Sequence, residues 1–241
     1  MNFNGRAHGE IVDDYYKSSK GVTISAANSQ GGPNIAIAFD TTRTRTDDAD
    51  LEDPWNMGNL VGTTLWKILI LAENDIDANG DGRIDRPDDQ GSQPHLGSAG
   101  QLIFDFDLPQ QSLGVDLIDV EDGDYTIPPD PQTAGDQVGY IGFYLLGAEV
   151  RRVSLHEFVN PSSDLHDPSV VYGDNSANRI QEMTAEELNI VAYDKLVFDM
   201  GMCYGIDSLV FQEFTGAVPE PSSLAWLGLG AALLARRARR R

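Results

Sequence analysis

Residues 77–88 read Asp77-Ala78-Asn79-Gly80-Asp81-Gly82-Arg83-Ile84-Asp85-Arg86-Pro87-Asp88. Side-chain oxygens fall at the first, third and fifth positions (Asp77, Asn79, Asp81), and Gly82 stands sixth, where such a loop must bend sharply. Arg83 offers its backbone carbonyl at the seventh position and Ile84 at the eighth points inward. Asp85 at the ninth reaches the centre directly or through water, and Asp88 closes the shell at the twelfth. A hard cation of calcium's size takes about six to eight oxygens, and a coiled loop delivers alternate side chains to one point. The expected chemistry is structural binding of Ca2+. A register beginning at Asp75 also places Gly80 sixth, but it turns Arg86 toward the ion, so the Asp77 register is preferred. Aspartate rather than glutamate at the twelfth position shortens the closing arm, and no helix pattern frames the loop.

Other chemistry is thinly represented. No Gly-x-Ser-x-Gly occurs, and the single cysteine, Cys203, sits among Met200, Met202 and Tyr204 and reads as a small buried hydrophobe. His8, His95, His156 and His166 match no zinc spacing. No catalytic residue is assigned. Aspartates and glutamates are too abundant to single out a pair for glycoside hydrolysis, which leaves a secreted carbohydrate-active hydrolase as the alternative function. The acidic stretch Thr46-Asp47-Asp48-Ala49-Asp50-Leu51-Glu52-Asp53 reads as an exposed loop, with a second low-affinity cation site as its functional version. Trp55, Tyr15, Tyr16 and Tyr125 lie in turn-like segments where aromatic faces stack on sugars.

Charge narrows the partners. The chain carries −21 at neutral pH, and without the five arginines of its last six residues 12 basic side chains face 38 acidic ones, or −26. Such a field repels nucleic acid and anionic membrane surfaces and attracts divalent cations. At 41% apolar residues the chain still has material for a real core.

The elements that must hold the loop are strands. Period-two or β-branched runs occur at 21–26, 35–39, 65–72, 101–107, 113–117, 138–146, 150–159, 169–172, 191–200 and 206–214, with an edge strand at 2–5. Thr184 and Glu187 are spaced as a capping box and mark the one short helix. Many strands and one helix predict an all-β fold, a jelly-roll-like β-sandwich over residues 1–216 with the calcium-type loop inserted.

Residues 217–241 differ in kind. Val218-Pro219-Glu220-Pro221-Ser222-Ser223 is followed by 12 apolar residues, 224–235, and then by Arg236, Arg237, Ala238, Arg239, Arg240 and Arg241. The run is shorter than the roughly 20 residues of a spanning helix, but it has no polar face to suit a core helix, and flanking serines and arginines extend its reach. A short C-terminal hydrophobic helix is expected, with the arginines held on the cytoplasmic side. Export also calls for an N-terminal leader. The stretch Met1-Asn2-Phe3-Asn4-Gly5-Arg6 has no apolar region of that kind, so a leader upstream of this start is expected.

The order Pro-Glu-Pro, apolar segment, arginine cluster resembles the PEP-CTERM sorting signal of Gram-negative and related bacteria. That resemblance implies export, handling by an exosortase-type membrane enzyme, transient anchoring by the C-terminal helix and cleavage of the tail. The body resembles a recurrent ectodomain of such proteins in its Phe3-Asn4-Gly5 opening, its Gly21-Val22-Thr23 strand, its acidic stretch before a Leu/Ile-rich strand, its Tyr172-Gly173-Asp174-Asn175-Ser176-Ala177-Asn178-Arg179-Ile180 motif and its Ile206-Asp207-Ser208-Leu209-Val210-Phe211 strand. That resemblance implies a jelly-roll-like exported domain of generally unassigned activity. With the calcium-type loop, the expected function is a non-enzymatic, calcium-stabilised structural or adhesive module at the cell surface or in the extracellular matrix, with extracellular polysaccharide as an expected partner.

Overall fold

A computed structural model describes residues 1–91, 98–120, 139–201 and 203–218. Nine strands follow one short helix: α1 (Lys17–Lys20), β1 (Val22–Asn28), β2 (Ala36–Asp40), β3 (Lys67–Leu71), β4 (Gly100–Ile118), β5 (Tyr140–Leu145), β6 (Ala148–Ser154), β7 (Ala177–Thr184), β8 (Tyr193–Asp199) and β9 (Gly205–Glu213). The all-β expectation holds. Hydrogen bonding draws one continuous antiparallel sheet in the order β2-β3-β9-β4-β8-β5-β6, with β1 and β7 also paired to β4, rather than two separately bonded sheets.

The 19-residue β4 organises this sheet, and the sequence read it as two strands. Its first half pairs with β1 (Ile24 opposite Phe104) and β8 (Leu196 opposite Phe104). Its second half pairs with β7 (Ile180 opposite Val115) and β9 (Phe211 opposite Leu113). Pro109 lies at the hand-over, where a residue without an amide donor interrupts no ladder that matters. The main core takes Leu102, Phe104 and Phe106 from the first half but Leu113, Val115 and Leu117 from the second. Even and odd positions reach the same side only if the strand slips by a residue, and register irregularities between Asp105 and Gln110 and between Gln110 and Ser112 supply that slip.

The hairpin of β2 and β3 is buried on both faces. Ala36, Ala38, Leu69 and Leu71 join the main core. Their neighbours Ile37, Phe39, Ile68 and Ile70 enter a second core, closed by Leu51, Trp55, Leu60 and Leu65 from the β2–β3 connection and by Ile84 from the β3–β4 connection. Two long connections are thereby glued to the outer face of the hairpin by their own apolar residues.

Several local expectations are corrected. Residues 2–5 form a turn that seats Phe3 in the core, with Arg6 N–H donating to Phe3 O at 2.9 Å. Residues 169–172 are not a strand, because Asn178 takes the place of one: its carboxamide receives Val171 N–H (2.9 Å) and donates to Val171 O (2.8 Å). The β7 strand was hidden between a loop motif and a helix signal. The Thr184–Glu187 capping box does form, with Thr184 N–H donating to Glu187 Oε2 at 2.7 Å and Glu187 N–H to Thr184 Oγ1 at 3.3 Å. The chain completes only a single turn there before Asn189 adopts φ 54°. The short helix is Lys17–Lys20, closed by Gly21 in the left-handed region. A second capping box, Ser154 with Glu157, opens the 3-10 turn Leu155–Phe158. Trp55 is core, its indole N–H donating to Thr63 O at 2.9 Å, and Tyr16 is buried as well. Cys203 is half-buried. The expected C-terminal helix, Tyr125 and His95 lie outside the described residues.

Across the second half of β4 a charged row sits inside the sheet. Arg179 donates two bonds to the fully buried Asp116, Nε to Oδ1 at 2.8 Å and Nη2 to Oδ2 at 2.7 Å. Asp116 faces Arg179 on β7 and Asp207 on β9. Burial, reinforced by Asp116, pushes the Asp207 carboxyl up to about 7 against the bonds it receives from Ser208. Its folded pKa lies above its unfolded value, so ionised Asp207 costs stability above pH 7, and that cost disappears as pH falls toward 4. Asp207→Asn is predicted to raise the melting temperature at pH 8, with the gap from wild type closing by about pH 4. A gap that is constant with pH, read by thermal melts across that range, contradicts this assignment.

Candidate functional site

The loop at 77–85 is wound as its spacing demands. The Asp77 carboxylate accepts the amides of Gly80 (2.7 Å), Asp81 (3.1 Å) and Gly82 (2.8 Å). Asn79 Oδ1 accepts Asp81 N–H at 2.8 Å, and Asn79 Nδ2 donates to Asp85 Oδ1 at 2.6 Å. Asp81 Oδ1 accepts Arg83 N–H at 3.0 Å, and Asp85 Oδ2 accepts Ala78 N–H at 2.7 Å. Gly82 has φ 82°, the left-handed conformation required of the sixth position. Hydrogen bonds thus tie Asp77, Asn79, Asp81 and Asp85 into one wound loop, but among the described residues the carboxylates of Asp77, Asp81 and Asp85 do not converge within 4.8 Å of one another as those of another group do.

The loop is fastened to the body at its eighth position. Ile84 is buried in the second core, its amide donates to Gly9 O at 2.9 Å, and Arg83 is bridged to Glu10. Gly9 is needed there: a Cβ on it would lie 2.1 Å from Ile84 O, and its φ of 77° is left-handed.

Asp88, the expected twelfth ligand, belongs to another group. Residues 88–90 run alongside the end of β3, with Glu73 N–H donating to Asp88 O (3.1 Å), Gln90 N–H to Leu71 O (2.8 Å) and Ala72 bridged to Asp89. This pairing carries Asp88 and Asp89 to the acidic stretch of the β2–β3 connection. One carboxylate oxygen from each of Asp48, Asp88 and Asp89 lies within 4.8 Å of the others. Asp48 Oδ1 caps the amides of Asp50 (3.2 Å) and Leu51 (3.3 Å), which leaves Oδ2 turned inward. Asp48 Oδ2 and Asp89 Oδ2 are both sealed from solvent and neither has a hydrogen-bond partner, although Asp89 as a residue keeps some exposure.

The electrostatics follow from that crowding. Burial and then Asp48 and Glu73 push Asp88 up to about 7. Burial, then Asp48, Asp119 and Asp88, raises Asp89 well above the carboxylate range, and burial raises Asp48. Asp50 is also raised, first by burial and then by Asp174. The neighbouring cation, Arg86, is committed to Asp47 through Nη2–Oδ1 at 2.7 Å and a second bond from Nε.

The Tyr172–Ile180 motif fixes this corner from the other side. Asn175 donates Nδ2 to Asp50 O and Glu52 O (both 2.9 Å), accepts Asn56 N–H on Oδ1 (2.8 Å) and gives its own amide to Asp119 Oδ1 (2.6 Å). It holds φ 54°, a conformation asparagine tolerates better than most residues. Asn59 clasps the backbone of Arg179, accepting its N–H at 2.6 Å and donating to its O at 3.0 Å.

Beside the carboxylate group opens a cleft of about 580 Å³ between residues 42–47 and 85–87. Arg43, Arg45, Arg86, His8, Asp47 and Asp85 line it. Burial, then Arg43, lowers His8 to about 4, and its Nδ1 accepts Asp40 N–H at 3.0 Å, so the imidazole is neutral. Arg45 makes no ion pair among the described residues, and Arg43 reaches Asp40 only at 3.8 Å.

The sequence analysis named the stretch holding Asp48 as a candidate second cation site but missed Asp89 and the joining of that stretch to Asp88, because those contacts fall outside the twelve-residue pattern. The available signals were the acidic stretch itself and the second aspartate directly after Asp88.

Comparison with protein families adds one match: residues 217–241 fit the PEP-CTERM protein-sorting motif. No curated protein and no solved structure matches the chain. The tail therefore carries a sorting signal, which implies export and recognition by exosortase, a membrane enzyme. Of its residues Val218 ends the described chain, while Pro219, Glu220, Pro221, Arg236, Arg237, Arg239, Arg240 and Arg241 lie outside it. Among the described residues no helix is long and apolar enough to cross a membrane.

Asn175→Gly keeps the left-handed backbone and removes three hydrogen bonds, so it is expected to cost about 2–4 kcal/mol in urea unfolding. A loss under about 0.5 kcal/mol, the scatter of ordinary surface changes, contradicts the role given to this side chain.

Proposed function

We propose that the exported body is a non-enzymatic structural or adhesive module of the cell surface or extracellular matrix, stabilised by calcium in the 77–85 loop. The observation that carries the reading is the sorting motif at residues 217–241, which implies export and handling by exosortase and so supports a destination outside the cytosol. The loop's wound carboxylates support the calcium part, because ions near millimolar concentration outside cells fill even weak sites. The carboxylates that crowd together elsewhere have oxygens shut away from solvent, where no polysaccharide reaches them. That favours a module over a hydrolase.

A surface or matrix destination predicts a definite product. Mass spectrometry of envelope and extracellular fractions from the native cell should find the body ending near Pro219-Glu220-Pro221, without the final arginines. Intact chain confined to the cytosol contradicts the proposal.

Polysaccharide is the proposed partner, and the basic cleft favours an acidic one. Arg43 and Arg45 supply positive charge that internal pairs scarcely use, on a body whose field otherwise repels anions. The protein is expected to be retained on an immobilised uronic-acid polysaccharide at low salt. Arg43→Ala/Arg45→Ala should weaken retention by about tenfold, as the loss of about 1.4 kcal/mol would. Equal retention of variant and wild type rules the cleft out as the docking place.

A further inference from the structure

We infer that Asp48, Asp88 and Asp89 form a second divalent-cation centre, distinct from the 77–85 loop, in which calcium ties the β2–β3 connection to the β3–β4 connection. The three carboxylates converge within 4.8 Å from two segments that share no local motif. Convergence of acidic groups alone is common. What sets this group apart is that Asp48 Oδ2 and Asp89 Oδ2 are removed from water without a well-formed hydrogen bond to either, although the Asp89 amide and carboxyl lie close enough to Asp48 to interact with it. A buried oxygen without a hydrogen bond is destabilising, the more so when charged. Two such residues grouped with a third carboxylate favour a positive charge among them.

The protein's own cations do not meet that need. Arg86, which feels the Asp88 charge, spends its guanidinium on Asp47. The other charged groups facing the three are all acidic: Asp47, Asp50, Glu73 and Asp119. The donor set is oxygen only, with no histidine or cysteine, which selects a hard ion over zinc or copper. Ligands borne on long connections suit the larger and geometrically tolerant calcium better than magnesium, which demands a near-ideal octahedron.

The inference does not depend on the 77–85 loop, and two substitutions separate them. Asp89→Asn preserves shape and removes charge from the second centre, and Asp81→Ala strips a ligand from the loop. In chelator, Asp89→Asn should melt above wild type, because it relieves repulsion among sealed carboxylates. In 1 mM calcium chloride the order should reverse, and calorimetric titration of the full chain should show one calcium fewer per chain than in wild type. Asp48→Asn should behave alike. Asp81→Ala should leave the calcium response of this centre in place, so loss of the loop site is read independently. If Asp89→Asn exceeds wild type by the same margin with and without calcium, and binds as many ions, the three carboxyls share protons instead and the centre does not exist.

Discussion

Like charges brought together out of water are the constraint on which this corner of the structure turns. A chain with −21 has no difficulty scattering carboxylates over its surface. Yet Asp48, Asp88 and Asp89 converge where two long connections meet, with two of their oxygens closed off from solvent. Repulsion at such range inside a protein outweighs the small gains of surface ion pairs, so the group persists only against compensation. The hydrophobic anchors of the same connections, Leu51, Trp55, Leu60 and Ile84, supply part of it by fastening both segments to the outer face of the β2–β3 hairpin. Asn175 supplies another part by bonding the carbonyls of Asp50 and Glu52. On the inference drawn above, a cation between the three carboxylates would supply the rest.

That arrangement depends on the sheet in turn. The doubly buried β2–β3 hairpin offers a platform only because β3 is held by β9 and β9 by β4. The slip near Pro109 allows one strand to serve two sets of neighbours while Leu102, Phe104, Phe106, Leu113, Val115 and Leu117 all stay in the main core. The Tyr172–Ile180 motif links the two levels. Its Arg179 ties β7 to Asp116 inside the sheet, while Asn175, four residues earlier, holds the acidic connection. The motif is thus a joint between sheet and loops.

Much of this was legible in the residues. Period-two patterning gave the all-β class and most strands, and the 77–88 spacing gave the loop with its inward Ile84 and its left-handed Gly82. The failures have physical causes. Pro109 made one bent strand look like two. Polar side chains stood in for backbone partners at Val171, so a β-branched pair was mistaken for a strand. The capping box at Thr184 formed on a single turn, because local hydrogen bonds do not require a helix to follow. Asp88 was assigned to the loop by position alone. What overrode position was the pairing of residues 88–90 with the end of β3, a long-range contact that no window of twelve residues contains.

The central claim, that carboxylate crowding is resolved by a cation, has a direct test. Crystals of the protein grown in calcium and measured at a long X-ray wavelength should show an anomalous peak between Asp48, Asp88 and Asp89, with carboxylate oxygens about 2.3–2.6 Å away. Carboxyl groups hydrogen-bonded to one another around no anomalous peak, in crystals whose 77–85 loop does hold calcium, would contradict it.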